Sequence, residues 1–107
     1  MRGNLITIAM QGGLGKPRPA LVIQSDRFDA HPSVTILPVT STLMDAPLLR
    51  VTVQPEAGNG LQKPSQVMVD KIMTVKRDKI GATIGQLDAD TVVEVERRLA
   101  LFLGIAR

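Results

Sequence analysis

Two prolines bracket a single arginine in Lys16-Pro17-Arg18-Pro19, which restricts the backbone on both sides and presents the guanidinium in a preset direction. A guanidinium keeps its charge at physiological pH and offers a planar fork of donors, so it suits an oxyanion or phosphate clamp. On chemistry alone, a structural ion pair at the mouth of a barrel explains Arg18 equally well. Thr40-Ser41-Thr42 ends an apolar run; its hydroxyls can donate to a phosphate or satisfy nearby backbone. Asp70 and Lys71 interrupt another apolar run, either as a charged pair on a wet face or as part of a site.

Other chemistries find less support. Metal-assisted hydrolysis needs clustered carboxylates or histidines, and this chain has one His, no Cys and acids spread singly. The lone His31 precedes Pro32 in a polar stretch and reads as an exposed loop residue; it allows no His pair and offers no convincing Ser-His-Asp triad. Gly12-Gly13-Leu14-Gly15-Lys16 falls short of a phosphate-binding P-loop, because Met10 stands where the first glycine is needed and Pro17 follows the lysine. What remains there is a pliable basic loop. Phe28 and Phe102 are the only aromatic residues, too few for the stacking platforms of RRM or OB single-strand readers.

These residues sit in a chain of 107, enough for one domain, that is 44% hydrophobic and 21% charged, a balance that favours a folded globule over a disordered tail. Without cysteine there is no disulfide scaffold. The first apolar run, Leu5–Met10, is too short for a signal peptide, and no stretch approaches a membrane span, so a soluble, unexported protein is expected. Net charge is +3; residues 88–107 hold three Lys/Arg against four acids and the rest ten against six, so the basic excess lies outside the C-terminal segment. That mild surplus permits a polyanionic partner.

The elements that must position the candidates follow from pattern. Residues 5–10, 20–25, 34–40, 49–54, 66–75 and 80–87 read as strands, with Leu49–Gln54 alternating apolar and polar. Pro38 demotes its strand toward an edge, bulge or strand end. Gly81 and Gly85 suggest a final strand that is bent or closely approached. From Asp88 the period changes: Val92, Val95, Leu99 and Phe102 form one helical face, Asp88 or Asp90 can cap the start and Gly104 can end it. Short strands followed by one helix, without βαβ alternation, indicate a mainly β fold, a small curled antiparallel sheet or SH3-like barrel over residues of about 4–87 with a C-terminal helix over about 89–103.

Four strings in this order, Lys16-Pro17-Arg18-Pro19-Ala20-Leu21-Val22-Ile23, Leu37-Pro38-Val39-Thr40-Ser41-Thr42, Gln66-Val67-Met68-Val69-Asp70-Lys71 and Phe102-Leu103-Gly104-Ile105, closely resemble the MazF/PemK family of bacterial toxin–antitoxin toxins over nearly the whole chain. The resemblance implies an SH3-like barrel that forms a homodimer in the cytoplasm, cuts single-stranded RNA without metal or other cofactor, and is neutralised by a cognate antitoxin with a disordered tail. It assigns catalysis to Arg18 and Thr40, with Lys16, Ser41, Asp70 and Lys71 as substrate-binding residues. Some PemK-like members pair an aspartate with an arginine two positions earlier as base and acid; Asp70 matches the aspartate but Met68 stands in the arginine's place, which leaves Asp70 a base or binding candidate. Lys71 replaces a common glutamine, and the first loop is shorter than usual, departures that bear on RNA sequence preference. Leu103-Gly104-Ile105 echoes the ending of the related gyrase poison CcdB without its tryptophan, and a non-catalytic SH3-like binding module is the third reading.

Overall fold

The computed structural model describes residues 1–9 and 16–106. Met10, placed above at the end of the first strand, and the glycines of Gln11–Gly15 lie outside the described residues. The described residues form seven strands, β1 (Asn4–Ile8), β2 (Arg18–Val22), β3 (Ser33–Thr40), β4 (Arg50–Val53), β5 (Ser65–Met68), β6 (Met73–Lys76) and β7 (Ile80–Gln86), followed by one helix, α1 (Ala89–Phe102). All pairings are antiparallel, in the order β4-β5-β3-β2-β1-β7 with β6 also on β3.

The sheet is curled rather than closed. Its β6 and β7 edges are consecutive in sequence and joined by one turn of 3-10 helix, Arg77–Lys79, with no ladder between them. Curvature comes from register shifts between β1 and β7 on either side of Ile6. Gly81 and Gly85 are the close approaches the sequence suggested. A Cβ on Gly81 would stand 2.5 Å from the Thr7 hydroxyl, and one on Gly85 would overlap the backbone of Gly58 and Asn59.

Period-two alternation divides the apolar residues between the two faces of the central strands. Leu5, Leu21, Leu37 and Val39 point to one side, where Val51, Val53, Val67 and the helix residue Val95 complete a buried cluster. Ile6, Ile8, Ala20, Val22, Val34 and Ile36 point to the other, covered by Met73, Val75 and Ile80 of the curled edges. Burial on both faces is why these strands read as continuous aliphatic runs. In α1 the expected cap is Asp88, which accepts the Thr91 N–H at 3.1 Å, and Gly104 ends the helix at φ +77°. Val95 is buried and Val92 and Leu99 pack beside it, but Phe102, expected on the same face, stays exposed with Leu101, Leu103 and Ile105.

Two sequence expectations need correction. The stretch 66–75 is two strands, parted by a turn of 3-10 helix at Val69–Lys71; the charges of Asp70 and Lys71 mark the break. Pro38 does not lie on an edge: β3 is flanked by β2 on one side and by β6 and β5 on the other. The Ile23 N–H donates to the Thr35 carbonyl at 3.2 Å, so odd residues of β3 turn their main-chain groups to β2 and even ones, Pro38 included, to the opposite edge. There the partner changes from β6, whose pairing with β3 ends at Ile36, to β5, whose pairing starts at Val39. Pro38 occupies that gap, where a missing N–H costs no ladder bond.

Candidate active site

The ends of β1, β2, β3, β5 and β7 converge on an open cleft of about 420 Å³. Arg18 opens β2, and Thr40 closes β3. The register Ala20↔Pro38, Leu21↔Leu37 and Val22↔Ile36, continued by two residues, sets Arg18 across from Thr40. Both line the cleft, as do Ser41, Pro17 and Pro19. Arg18 and Ser41 are exposed and Thr40 is half-buried. Floor and depth come from Thr7, Val39, Ser65 and Ile84, which continue outward from the first apolar cluster.

The opposite wall, Gly60–Lys63, arrives from the β4–β5 loop, and Asn59 ties that loop down. Its side chain is buried; the oxygen accepts the Glu56 and Leu61 N–H groups at 3.2 and 3.0 Å, and the amide donates to the Gln54 carbonyl at 2.9 Å. Gly60 is required beside it, since φ is +72° and a Cβ would collide with the Ile84 carbonyl. Ser65 donates to the Lys63 carbonyl at 2.8 Å, fixing the base of Lys63.

Charge in the cleft is one-sided. Arg18 and Lys63 line it, and no Asp, Glu or His is among its lining residues. Neither cation forms an ion pair among the described residues. The Thr40 hydroxyl accepts the Thr42 N–H at 3.0 Å, so its own proton remains to be donated into the cleft. The chemistry on offer is therefore the holding of an anion, by a guanidinium and an ammonium, with hydroxyl donors beside them. Among the described residues no three His, Asp or Glu side chains gather as a metal would require.

The remaining sequence candidates lie elsewhere. Lys16 is exposed just before Pro17 and does not line the cleft. Asp70 and Lys71 are on the 3-10 turn after β5; Asp70 lies 3.8 Å from Arg50 Nε and 3.9 Å from Lys71 Nζ, away from the cleft lining. His31 is exposed in its loop, its Nδ1 accepting the Ser33 N–H at 3.1 Å.

Sequence reasoning missed the role of Gln66. It is the main-chain partner of Thr40 on β5, and its buried amide accepts the Met44 N–H and donates to the Met44 carbonyl, each at 3.0 Å, and to Thr52 Oγ1 at 3.2 Å. Gln66 thereby anchors the segment that follows Thr40-Ser41. A polar residue in an otherwise apolar strand was the one available signal, and it does not say which loop the amide will meet.

Comparison with known proteins agrees with this architecture. Residues 1–103 match the family of PemK-like, MazF-like toxins of type II toxin-antitoxin systems. The chain is 46% identical over 106 residues, 98% of its own length and 97% of the relative's, to the probable endoribonuclease MazF of Mycolicibacterium smegmatis. Its fold is similar to that of the Mycobacterium tuberculosis toxin MazF-mt6, with a TM-score of 0.79 at 28% identity covering 96% and 99% of the two chains. A mycobacterial endoribonuclease in complex with its cognate antitoxin superposes with a TM-score of 0.84 at 23% identity, covering 100% and 97%. Likeness of this extent, in sequence and in fold, makes the chain a member of the PemK-like, MazF-like toxin family of type II toxin-antitoxin systems.

Proposed function

We propose that this MazF-like endoribonuclease cuts single-stranded RNA in the Arg18–Thr40 cleft, sequence-selectively and without a metal ion. The ribose 2′-hydroxyl attacks the adjacent phosphorus; the new 2′-oxygen–phosphorus bond forms as the bond to the 5′-oxygen breaks. One proton leaves the nucleophile and one reaches the departing oxygen, giving a 2′,3′-cyclic phosphate and a 5′-hydroxyl. Arg18 stabilises the charge that builds on the phosphoryl oxygens and stands ready to protonate the leaving group, the work done by a metal in other nucleases. Thr40 donates its hydroxyl to a phosphoryl oxygen, with Ser41 beside it. Lys16 and Lys63 attract the flanking phosphates. Asp70 and Lys71 remain candidates for contacts along a longer RNA.

The observation that carries this reading is a cationic cleft with no acid in its lining, in which the arginine of one strand faces the threonine of the next. An acid there would oppose the approach of a polyanion. The exposed apolar residues at the end of α1, Leu101, Phe102, Leu103 and Ile105, support pairing with a second copy. The relative solved with its antitoxin supports neutralisation by a cognate antitoxin, which on this reading lies over the substrate groove. Among the described residues no helix is long and apolar enough to cross a membrane; action on RNA supports work in the cytoplasm.

The test is incubation of the purified protein with a long single-stranded RNA in EDTA, followed by mapping of the ends. Fragments with 2′,3′-cyclic phosphates and 5′-hydroxyls are expected. RNA cut only when a divalent ion is restored, or cut to 5′-phosphates, contradicts the proposal.

A further inference from the structure

A second cavity of about 350 Å³ lies between the β3–β4 segment, β4 and α1. It neighbours the cleft: Gln66, the strand partner of Thr40, lines it, and so does Met44, which Gln66 anchors. Its feature is Arg50. Only 9% of that side chain is exposed, yet among the described residues its guanidinium makes no hydrogen bond, and the nearest carboxylate, Asp70, stands 3.8 Å from Nε, beyond hydrogen-bond reach. Nε is sealed off and unpartnered, while the other two guanidinium nitrogens belong to a residue that lines the cavity. Asp70, whose Oδ1 is likewise buried and unpartnered, balances the charge on the Nε side, so the two remaining guanidinium nitrogens, which make no hydrogen bond among the described residues, are the donors left for a ligand.

The rest of the lining says what ligand fits. Asp45, Glu94 and a second arginine, Arg98, line the cavity with Arg50, so its charge is balanced, unlike that of the cationic cleft. Glu94 is occupied by Arg97 and Arg98, each at 2.8 Å, whereas Asp45 is exposed and has no ion pair among the described residues. The cavity thus offers free donors on Arg50 and a free acceptor on Asp45. Guanine presents the complement, with O6 and N7 accepting and N1–H and N2–H₂ donating.

We propose that this cavity is a nucleobase pocket for a guanine of the RNA chain, a few nucleotides from the cut, with Arg50 donating to the acceptor edge and Asp45 accepting from the donor edge. The assignment rests on the ribonuclease reading of the neighbouring cleft and gives it a source of sequence preference.

Binding without cleavage separates the two. Fully 2′-O-methylated hexamers cannot undergo transesterification; one carries a single guanine among uridines and the other an adenine in its place. The guanine hexamer is expected to bind about tenfold or more tightly, as for a good bidentate base contact. That preference should vanish in Asp45→Asn, an exposed position with no side-chain ion pair or hydrogen bond among the described residues, and in Arg50→Lys, which keeps the charge without the fork. Equal binding of the two hexamers by the wild type, no binding of either, or a preference that survives both substitutions overturns the pocket. So does a result in which the two variants change inhibition by a carboxylate-rich peptide and leave hexamer discrimination intact, since the pocket would then serve a protein ligand. None of these outcomes depends on turnover, so loss of cleavage chemistry would be recognised separately.

Discussion

The molecule holds two arginines in neighbouring cavities, and they are built oppositely. Arg18 is exposed between two prolines, faces a threonine across β2 and β3, and has no acid in its cleft. Arg50 is nine-tenths buried, stands beside Asp70, and shares its cavity with Asp45, Glu94 and Arg98. An uncompensated cation in reach of solvent is suited to charge that appears during a reaction, because nothing in the ground state already satisfies it. A buried cation among carboxylates is suited to recognition of a neutral group, where donors and acceptors must both be met.

The largest contrast should come from removing each guanidinium. Arg18→Ala is expected to lower single-turnover RNA cleavage ~10²-fold or more, in the range for loss of one preorganised oxyanion donor, with the melting temperature unchanged because the side chain is exposed. Arg50→Ala should do the reverse in kind: it leaves Asp70 beside an empty space and lowers the unfolding free energy by about 1–3 kcal/mol, less than for a sealed pair since Asp70 keeps some solvent, as chemical denaturation would measure. If both variants lose activity and neither loses stability, the distinction between the cavities fails.

Finer substitutions sharpen the same contrast. Thr40→Val keeps the shape and removes the donated proton, and a fall in rate of roughly tenfold is expected, the scale of one neutral hydrogen bond, with recovery in Thr40→Ser. Gln66→Met removes the anchor of Met44 and should lower kcat more than it raises KM, by a few-fold, because the Thr40–Ser41 wall is loosened while the cations that attract RNA stay in place.

The smallest effect lies at Asp88, the cap of α1, which lines neither cavity. Hydrogen bonds from the Thr91 hydroxyl and N–H hold the Asp88 carboxyl below its usual range, and bonds from Arg98, then the nearby charge of Arg97, do the same for Glu94. Folded-state values below the unfolded ones mean that the unfolded chain binds more protons in the window between them. This stability is therefore complete above the ordinary carboxylate range and is lost as pH falls through the lowered values. Asp88→Asn should slightly reduce the melting temperature at neutral pH and flatten its decline in acid.

What the sequence disclosed and what it hid divide along the same physical line. Local signals carried the helix, since Asp88, the spacing of Val92, Val95 and Leu99, and Gly104 act within a few residues of one another. The proline-bracketed Arg18 and the Thr40 hydroxyl stood out by type, and the family resemblance joined them; their facing each other depends on the β2–β3 register, which no local rule supplies. Asp70 is in the same string as Gln66, yet one meets Arg50 and the other Met44, because a 3-10 turn intervenes. Pro38 misled because a proline's cost depends on which strand its nitrogen faces. The second cavity was invisible: Arg50 is read as the polar member of an alternating strand until β4, the β3–β4 segment and α1 come together around it.

The account depends most on Arg18 acting in the chemical step. Single-turnover cleavage of an end-labelled RNA in EDTA, with protein in excess, should show Arg18→Ala at least a hundredfold slower than the wild type at saturation, while a filter assay finds the RNA still bound. A rate within threefold of the wild type would contradict the account.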